Sequence, residues 1–366
     1  MKSFAEHAED LDNSFDPCRF TLATMVIVSH SFALLGDKVL AREPMVWLSN
    51  RLGLGSLAVN GFFVISGFLV SASYCHCPTT LSYFRNRALR IYPGLIMALL
   101  ISAFVVAPLG GAHGPLFPLV WRTLLGQSTP NLPGAFAHNP LPYVNASLWT
   151  LRFEVFCYTL VPLLALLGCY RRPQRLTVVF LAAFLAFQWA RGLLFQGRHF
   201  QLGPFNWLDE LPHLCVYFLS GALLYANRHR VPRSPKLALV ALVVFALTLR
   251  HGLEWTMPFT VSYLVLFLAL RPVSPSVRRR QRWMGDVSYG MYLYASAIQQ
   301  LLVMASQPYW GPKRLLAVSF PLSLLAGWLS WNLLEKPCLR LKYRPAETSG
   351  TSCPTPAHNQ SESSSR

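Results

Sequence analysis

Apolar stretches of bilayer length alternate with short polar connections along nearly the whole chain. A helix needs about 17 to 25 residues to cross a hydrocarbon core. Such stretches recur at roughly 20–36, 54–74, 91–111, 148–169, 176–196, 209–227, 236–251, 254–271, 285–305 and 314–335. The pattern predicts an all-α polytopic membrane protein with about ten transmembrane helices, the seventh and eighth divided only by His251-Gly252-Leu253. Residues 1–18 read as a polar, acidic cytoplasmic segment, 19–343 as the membrane-embedded domain, and 344–366, rich in Ser, Thr, Pro and Glu, as a disordered cytoplasmic tail. A secretory signal would open on basic residues and end in a small-residue cleavage site, so the first span is expected to be retained. The longest outer connection, 112–147, is rich in Gly and Pro and carries His113 and His138. A loop of that length is a candidate cap over a cavity opening outward.

Composition agrees with the pattern: 53% of the 366 residues are hydrophobic and 13% charged, with a mean hydropathy of +0.36. That is too apolar for an ordinary soluble domain. The formal charge of +17 is mainly a topology signal, because alternate connections hold 22 of the 32 Lys and Arg. By the positive-inside rule, an even number of spans then leaves both termini in the cytoplasm. The arginines are dispersed at helix ends instead of gathering on one aromatic-laced face, so nucleic acid is not an expected partner. Of eight cysteines none lies in an outer connection, and no disulfide framework is expected. The lone Cys75-His76-Cys77 lacks a second ligand pair, so no metal is expected.

Against this apolar background a few polar residues stand out. Arg19 opens the first span and His30 follows eleven residues later. At about 100° per residue both leave one helix face, about 16 Å apart. The pair is either functional, the default for an ionisable group at mid-depth, or a snorkelling anchor beside a packed histidine. In the second span Val59-Asn60-Gly61-Phe62-Phe63-Val64-Ile65-Ser66-Gly67 packs closely through its small residues, leaving Asn60 and Ser66 as the functional candidates. Arg85, Arg87 and Arg90 form a compact cationic cluster in the connection before the third span. Guanidinium pairs of this kind suit a phosphate-bearing ligand, and positive-inside anchoring explains them equally. Glu154 lies about 9 Å inside the outer boundary of the fourth span and needs a partner there. His30 would make with it a general-base pair; Arg152 would merely neutralise it. Asp209 and His213 read as an outer-face cluster touching acceptor, and Glu335-Lys336-Pro337 as the end of the last helix.

Six stretches taken together resemble the acyltransferase-3 family of integral membrane acyltransferases, over roughly residues 14–343. They are Arg19 with His30, Phe62 to Leu69, Arg87 and Arg90 before Ile91-Tyr92-Pro93, Asn145 to Glu154, Ser288 to Leu293, and Glu335-Lys336-Pro337. The resemblance implies an acyl-CoA donor, commonly acetyl-CoA, and a hydroxyl of a surface carbohydrate such as lipopolysaccharide or exopolysaccharide as acceptor. It also implies a multi-pass bacterial plasma (inner) membrane protein; the oligomeric state stays open. Carried onto this chain, it places Arg85, Arg87 and Arg90, with Arg19, on the donor phosphates. His30 becomes a general base oriented by Glu154, or the carrier in an acyl-histidine relay. Asn60, Ser66, Trp149, Tyr289 and Tyr292 become substrate contacts. Two features depart from many members: Ala295 stands where they have histidine, and no esterase-like domain follows the last span. Transfer is therefore expected to finish in the membrane domain or on a separate protein. A transporter or flippase of an acyl donor or lipid-linked sugar would need similar buried charge. Its inverted, Gly/Pro-broken half-repeats are not visible here.

Overall fold

Helix follows the apolar stretches closely in the computed structural model, which describes residues 3–8, 14–117, 132–195, 207–277, 285–306 and 310–342, with Val120, Thr123 and Arg279. The long helices are α1 (Phe15–Ala33), α2 (Leu54–Cys75), α3 (Thr80–Ile101), α4 (Leu151–Leu166), α5 (Pro173–Phe195), α6 (Trp207–Ala226), α7 (Pro235–Thr248), α8 (Leu253–Ala269), α9 (Ser288–Ala305) and α10 (Pro312–Ser330). Each falls on one of the predicted spans. Two continue past a π-helical turn: α3 through Ser102–Val106 to Leu109, and α10 through Trp331–Glu335 to Leu339. Among the described residues no strand is present beyond an isolated bridge, Ser3 to Pro232. Four helical runs are long and apolar enough to cross a membrane by themselves: Leu54–Cys75, Thr80–Leu109, Leu148–Leu166 and Pro312–Leu339. The tail expected at 344–366 lies outside the described residues.

The largest departure from expectation is the start of α3. It begins at Thr80, not near residue 91, because Thr79 caps it: Ser82 N–H donates to the Thr79 hydroxyl at 3.1 Å and Thr79 N–H to the Ser82 hydroxyl at 3.3 Å. A reciprocal cap satisfies the first free amides and lets the helix begin in polar sequence. Arg85, Arg87 and Arg90 therefore ride on the first three turns of a helix, not on a connection.

α2 is the central element, packed on α1, α3, α4, α6 and α8. Its closest partner is α6. A Cβ on Gly67 would collide with the Phe218 carbonyl, and one on Gly221 with the Val64 carbonyl, so the two backbones touch through glycine. α9 packs on α1 and α10, while α7 is peripheral, burying only Ala238. The N-terminal segment is partly docked: Phe4 is buried, stacks on Tyr263, and its N–H donates to the Val231 carbonyl. The connection between α3 and α4 is anchored to α9 at its end. Gln300 donates to the carbonyls of Leu141 and Tyr143, and Asn145 to that of Leu293, while His113 and His138 stay exposed.

Candidate active site

A cavity of about 120 Å³ opens between α1, α2, α3, α4 and α9. Its α2 wall runs from Val59 to Val70, eleven residues or about 16 Å at 1.5 Å each, so it is long and narrow. Residue spacing explains the lining. Phe62, Ser66 and Leu69 recur on one face of α2, Arg87 and Arg90 are one turn apart on α3, and Glu154 and Tyr158 one turn apart on α4. Tyr289 and Tyr292 face it from α9, and Arg19 from the start of α1. One end is cationic, the middle holds a carboxylate, and the far end is aromatic with hydroxyls.

The cations are not equivalent. Arg90 pairs with Asp286, and with Glu335 at 3.3 Å, and lies over the rings of Tyr289 and Trp331. Arg19 also reaches Asp286, at 3.4 Å, and Asp16 at 3.2 Å. Ser288 and Ser330 donate to Asp286 and Glu335, so these carboxylates are held on several sides. The π-helical turn Trp331–Glu335 brings both of its end residues onto Arg90. Arg87 has no carboxylate within ion-pair distance among the described residues. It donates to the Ser73 hydroxyl at 3.2 Å, lies over the Tyr158 ring at 5.8 Å, and its Nε is buried without a partner. Arg87 is thus the cavity cation least engaged by protein anions.

In the middle of the cavity Tyr158 Oη donates to Glu154 at 2.6 Å, and Tyr158 is itself braced by the Tyr83 hydroxyl on its carbonyl. At the far end the hydroxyls of Thr150 and Tyr292 meet at 2.6 Å. Tyr289 anchors α9 to α3 by donating to the Ile91 carbonyl at 2.9 Å.

Seven of the eleven expected site residues line this one cavity: Arg19, Ser66, Arg87, Arg90, Glu154, Tyr289 and Tyr292. The others lie outside it. Arg85 is exposed and donates to the Leu341 carbonyl. Trp149 packs edge-on against Phe153. Asn60 is fully buried but turned to α6, its Oδ1 2.8 Å from His213 Nε2 and its Nδ2 without a partner. His213, read from sequence as an outer-face residue beside Asp209, thus points inward between Phe187 and Tyr217; the Asp209 side chain lies outside the described residues. His30 sits beyond the cavity. Its neighbour Ser29 lies against Gly55, one turn of α2 past Val59, and its Nδ1 is buried without a partner. Glu154 is bonded to Tyr158 and not to His30, because the i, i+4 spacing on α4 presents a hydroxyl before any other helix can.

Sequence reasoning missed Asp286 and treated Glu335 as punctuation. The available signal was the sign of the charge: each is an acid at a basic helix end, where a carboxylate beside apolar sequence needs a cation.

Comparison with known proteins follows the same stretch of chain. A family model described as an acyltransferase domain matches residues 12–332. The chain is 28% identical over 333 residues to the O-acetyl transferase of Shigella phage Sf6, covering 88% of this chain and 95% of that protein. It is 27% identical over 371 residues to nodulation protein 10 of Rhizobium leguminosarum bv. viciae, covering 92% and 96% respectively. No solved structure matches it.

Proposed function

The chain belongs to the acyltransferase family matched over residues 12–332, and from that premise we propose a membrane O-acyltransferase that moves an acyl group, in the first instance acetyl, from acyl-CoA to a hydroxyl of a cell-surface carbohydrate. The observation that carries this reading is the cavity's polarity: Arg87, with no carboxylate within ion-pair distance among the described residues, at one end, and a hydroxyl pair at the other. A phosphate-bearing donor fits that order, its phosphates at Arg87 and its thioester toward Thr150 and Tyr292. Two hydroxyls sharing one hydrogen bond leave one O–H to donate to the thioester carbonyl as charge develops on its oxygen. In this reading His30 of α1 takes the proton of the acceptor hydroxyl and returns it to the departing thiolate, so ester and free thiol form together. The same reading places ten helices across a bacterial inner membrane with both termini in the cytoplasm. Its support is the agreement between ten long helices and the alternation of basic connections.

The test is free-thiol release from acetyl-CoA by purified protein with a membrane polysaccharide extract as acceptor. His30→Ala is expected to lower kcat by about 100-fold or more while inserting normally. Arg87→Ala is expected to raise the donor KM about tenfold, as for a lost charged hydrogen bond, with kcat little changed. Wild-type rates from His30→Ala would remove the histidine from the chemistry, and an unchanged donor KM in Arg87→Ala would remove the phosphate site.

A further inference from the structure

The molecule has a second, larger concavity that the acyl-transfer reading does not use. A groove of about 710 Å³ lies between α1, α7 and α8, within the range of about 300–1,000 Å³ typical of small-molecule sites. Its walls are apolar: Leu22 and Met25 of α1, Phe245 of α7, and Leu264 and Leu268 of α8. Most of its polar lining gathers at one end, where Ser14, Arg271 and Ser274 form the rim, while the Thr21 hydroxyl farther along is spent on the Pro17 carbonyl. Ser14 ties that rim together, its hydroxyl donating to the Arg271 carbonyl at 2.7 Å and its N–H to the Ala269 carbonyl at 2.8 Å. The Arg271 guanidinium is exposed and has no carboxylate within ion-pair distance among the described residues. Arg233, close enough to repel it, is likewise without a carboxylate and lies over the Phe267 ring. From Pro17 to Met25 the groove follows α1 for about 12 Å. It is thus a long, largely apolar trough headed by Arg271, with Arg233 near that cation.

We propose that this groove is a binding site for one anionic phospholipid, its phosphate at Arg271 and one acyl chain between α1, α7 and α8. The argument is charge complementarity at the cationic end of a groove whose described lining is mostly hydrocarbon. Basic residues at that depth attract anionic headgroups. A zwitterionic lipid offers its phosphate with a compensating cation, and a free phosphate compound offers nothing to the apolar walls.

The test uses full-length protein, delipidated in detergent, with dioleoyl-phosphatidylglycerol, dioleoyl-phosphatidylcholine and glycerol 3-phosphate as separate probes. Retained lipid is read by native mass spectrometry and binding by the rise in Tm. One phosphatidylglycerol per chain, with saturable stabilisation, is expected. Phosphatidylcholine should need a several-fold higher concentration, and glycerol 3-phosphate should do nothing. Arg271→Gln, on an exposed side chain, should raise the half-saturating phosphatidylglycerol concentration about fivefold, the factor for one interfacial cation. Leu264→Trp, which fills the groove, should abolish lipid retention, and Leu181→Trp, on the exposed face of α5, should not. Equal effects of the two lipids, full stabilisation by glycerol 3-phosphate, or no change in Arg271→Gln would each overturn the proposal.

Discussion

Arg87 and Arg90 stand one turn apart on the same face of α3, yet only one of them is bound up in carboxylates. Arg90, with Arg19, Asp286 and Glu335, forms a buried ionic cluster in which Glu335 is 1% exposed. Removing one member of such a cluster strands the remaining charges at a cost of roughly 3–5 kcal/mol. Asp286→Ala is therefore expected to lower the thermal stability of the purified protein sharply, whereas Arg85→Ala, on an exposed side chain, should change it by less than about 0.5 kcal/mol. Equal melting curves for the two variants would refute the structural role of the cluster. Lys342, in the turn after the last helix, adds a pH-sensitive charge. Burial, and then repulsion from Arg87, Arg90 and Arg19, bring it down from the usual 10.5 to about 8. The cationic end of the cavity thus loses one positive charge as pH rises through about 8. Donor KM is expected to rise between about pH 7 and 9 in the wild type and to stay flatter in Lys342→Gln, as initial rates would show. The linkage sign is that of a depressed lysine: the folded state disfavours the proton. Its contribution to stability is at its worst below about pH 8 and improves toward 10.5. Sequence showed the arginines and Glu154 through their spacing. It could not show who pairs with whom, because Asp286 and Glu335 lie 196 and 245 residues away from Arg90 in the chain and local periodicity is blind to such contacts.

The elements were legible wherever hydrophobic length decides, and less so wherever hydrogen bonding does. All ten long helices fall on apolar runs, but α3 starts eleven residues early through a polar cap, and two helices carry π turns that no periodicity announced. The touching backbones of α2 and α6 are a packing feature that sequence did suggest, through Gly67 beside the phenylalanines. Alanine at Gly67 must push Phe218 and Ala222 of α6 away. Since α2 also forms the longest wall of the cavity, Gly67→Ala is expected to reduce both stability and thiol release. Gly192→Ala, where a Cβ meets nothing within 4 Å, should be neutral. If Gly67→Ala melts and turns over like the wild type, the α2–α6 contact is looser than described. The π turn at Trp331–Glu335 carries a further expectation. Deleting Asn332 would remove the extra residue that the wide turn absorbs and leave Glu335 on its face with ordinary winding, so it is expected to cost much less stability than Asp286→Ala, as melting curves would show.

At the scale of the whole molecule, the proposed even number of crossings requires both chain ends on the side of Arg87. Reporter domains that work only in the cytoplasm, fused in turn to each terminus, should both be active; activity at one end alone would mean an odd number of crossings. The all-helical plan was readable because the length of an apolar run is a coarse, additive signal. The cavity was readable only in part, because it depends on which helix faces which, and Asn60, turned to His213 of α6, shows how a candidate on the right helix can face a different neighbour. That geometry also makes α1 a partition. Arg19 faces the candidate active-site cavity and Cys18, the residue before it, faces the groove, so a single turn of helix is lined by two compartments. Binding free energies are reciprocal. Whatever factor an occupant of the groove imposes on donor affinity, the donor must impose on that occupant, and a titration of either ligand in the presence of the other measures how stiff the partition is.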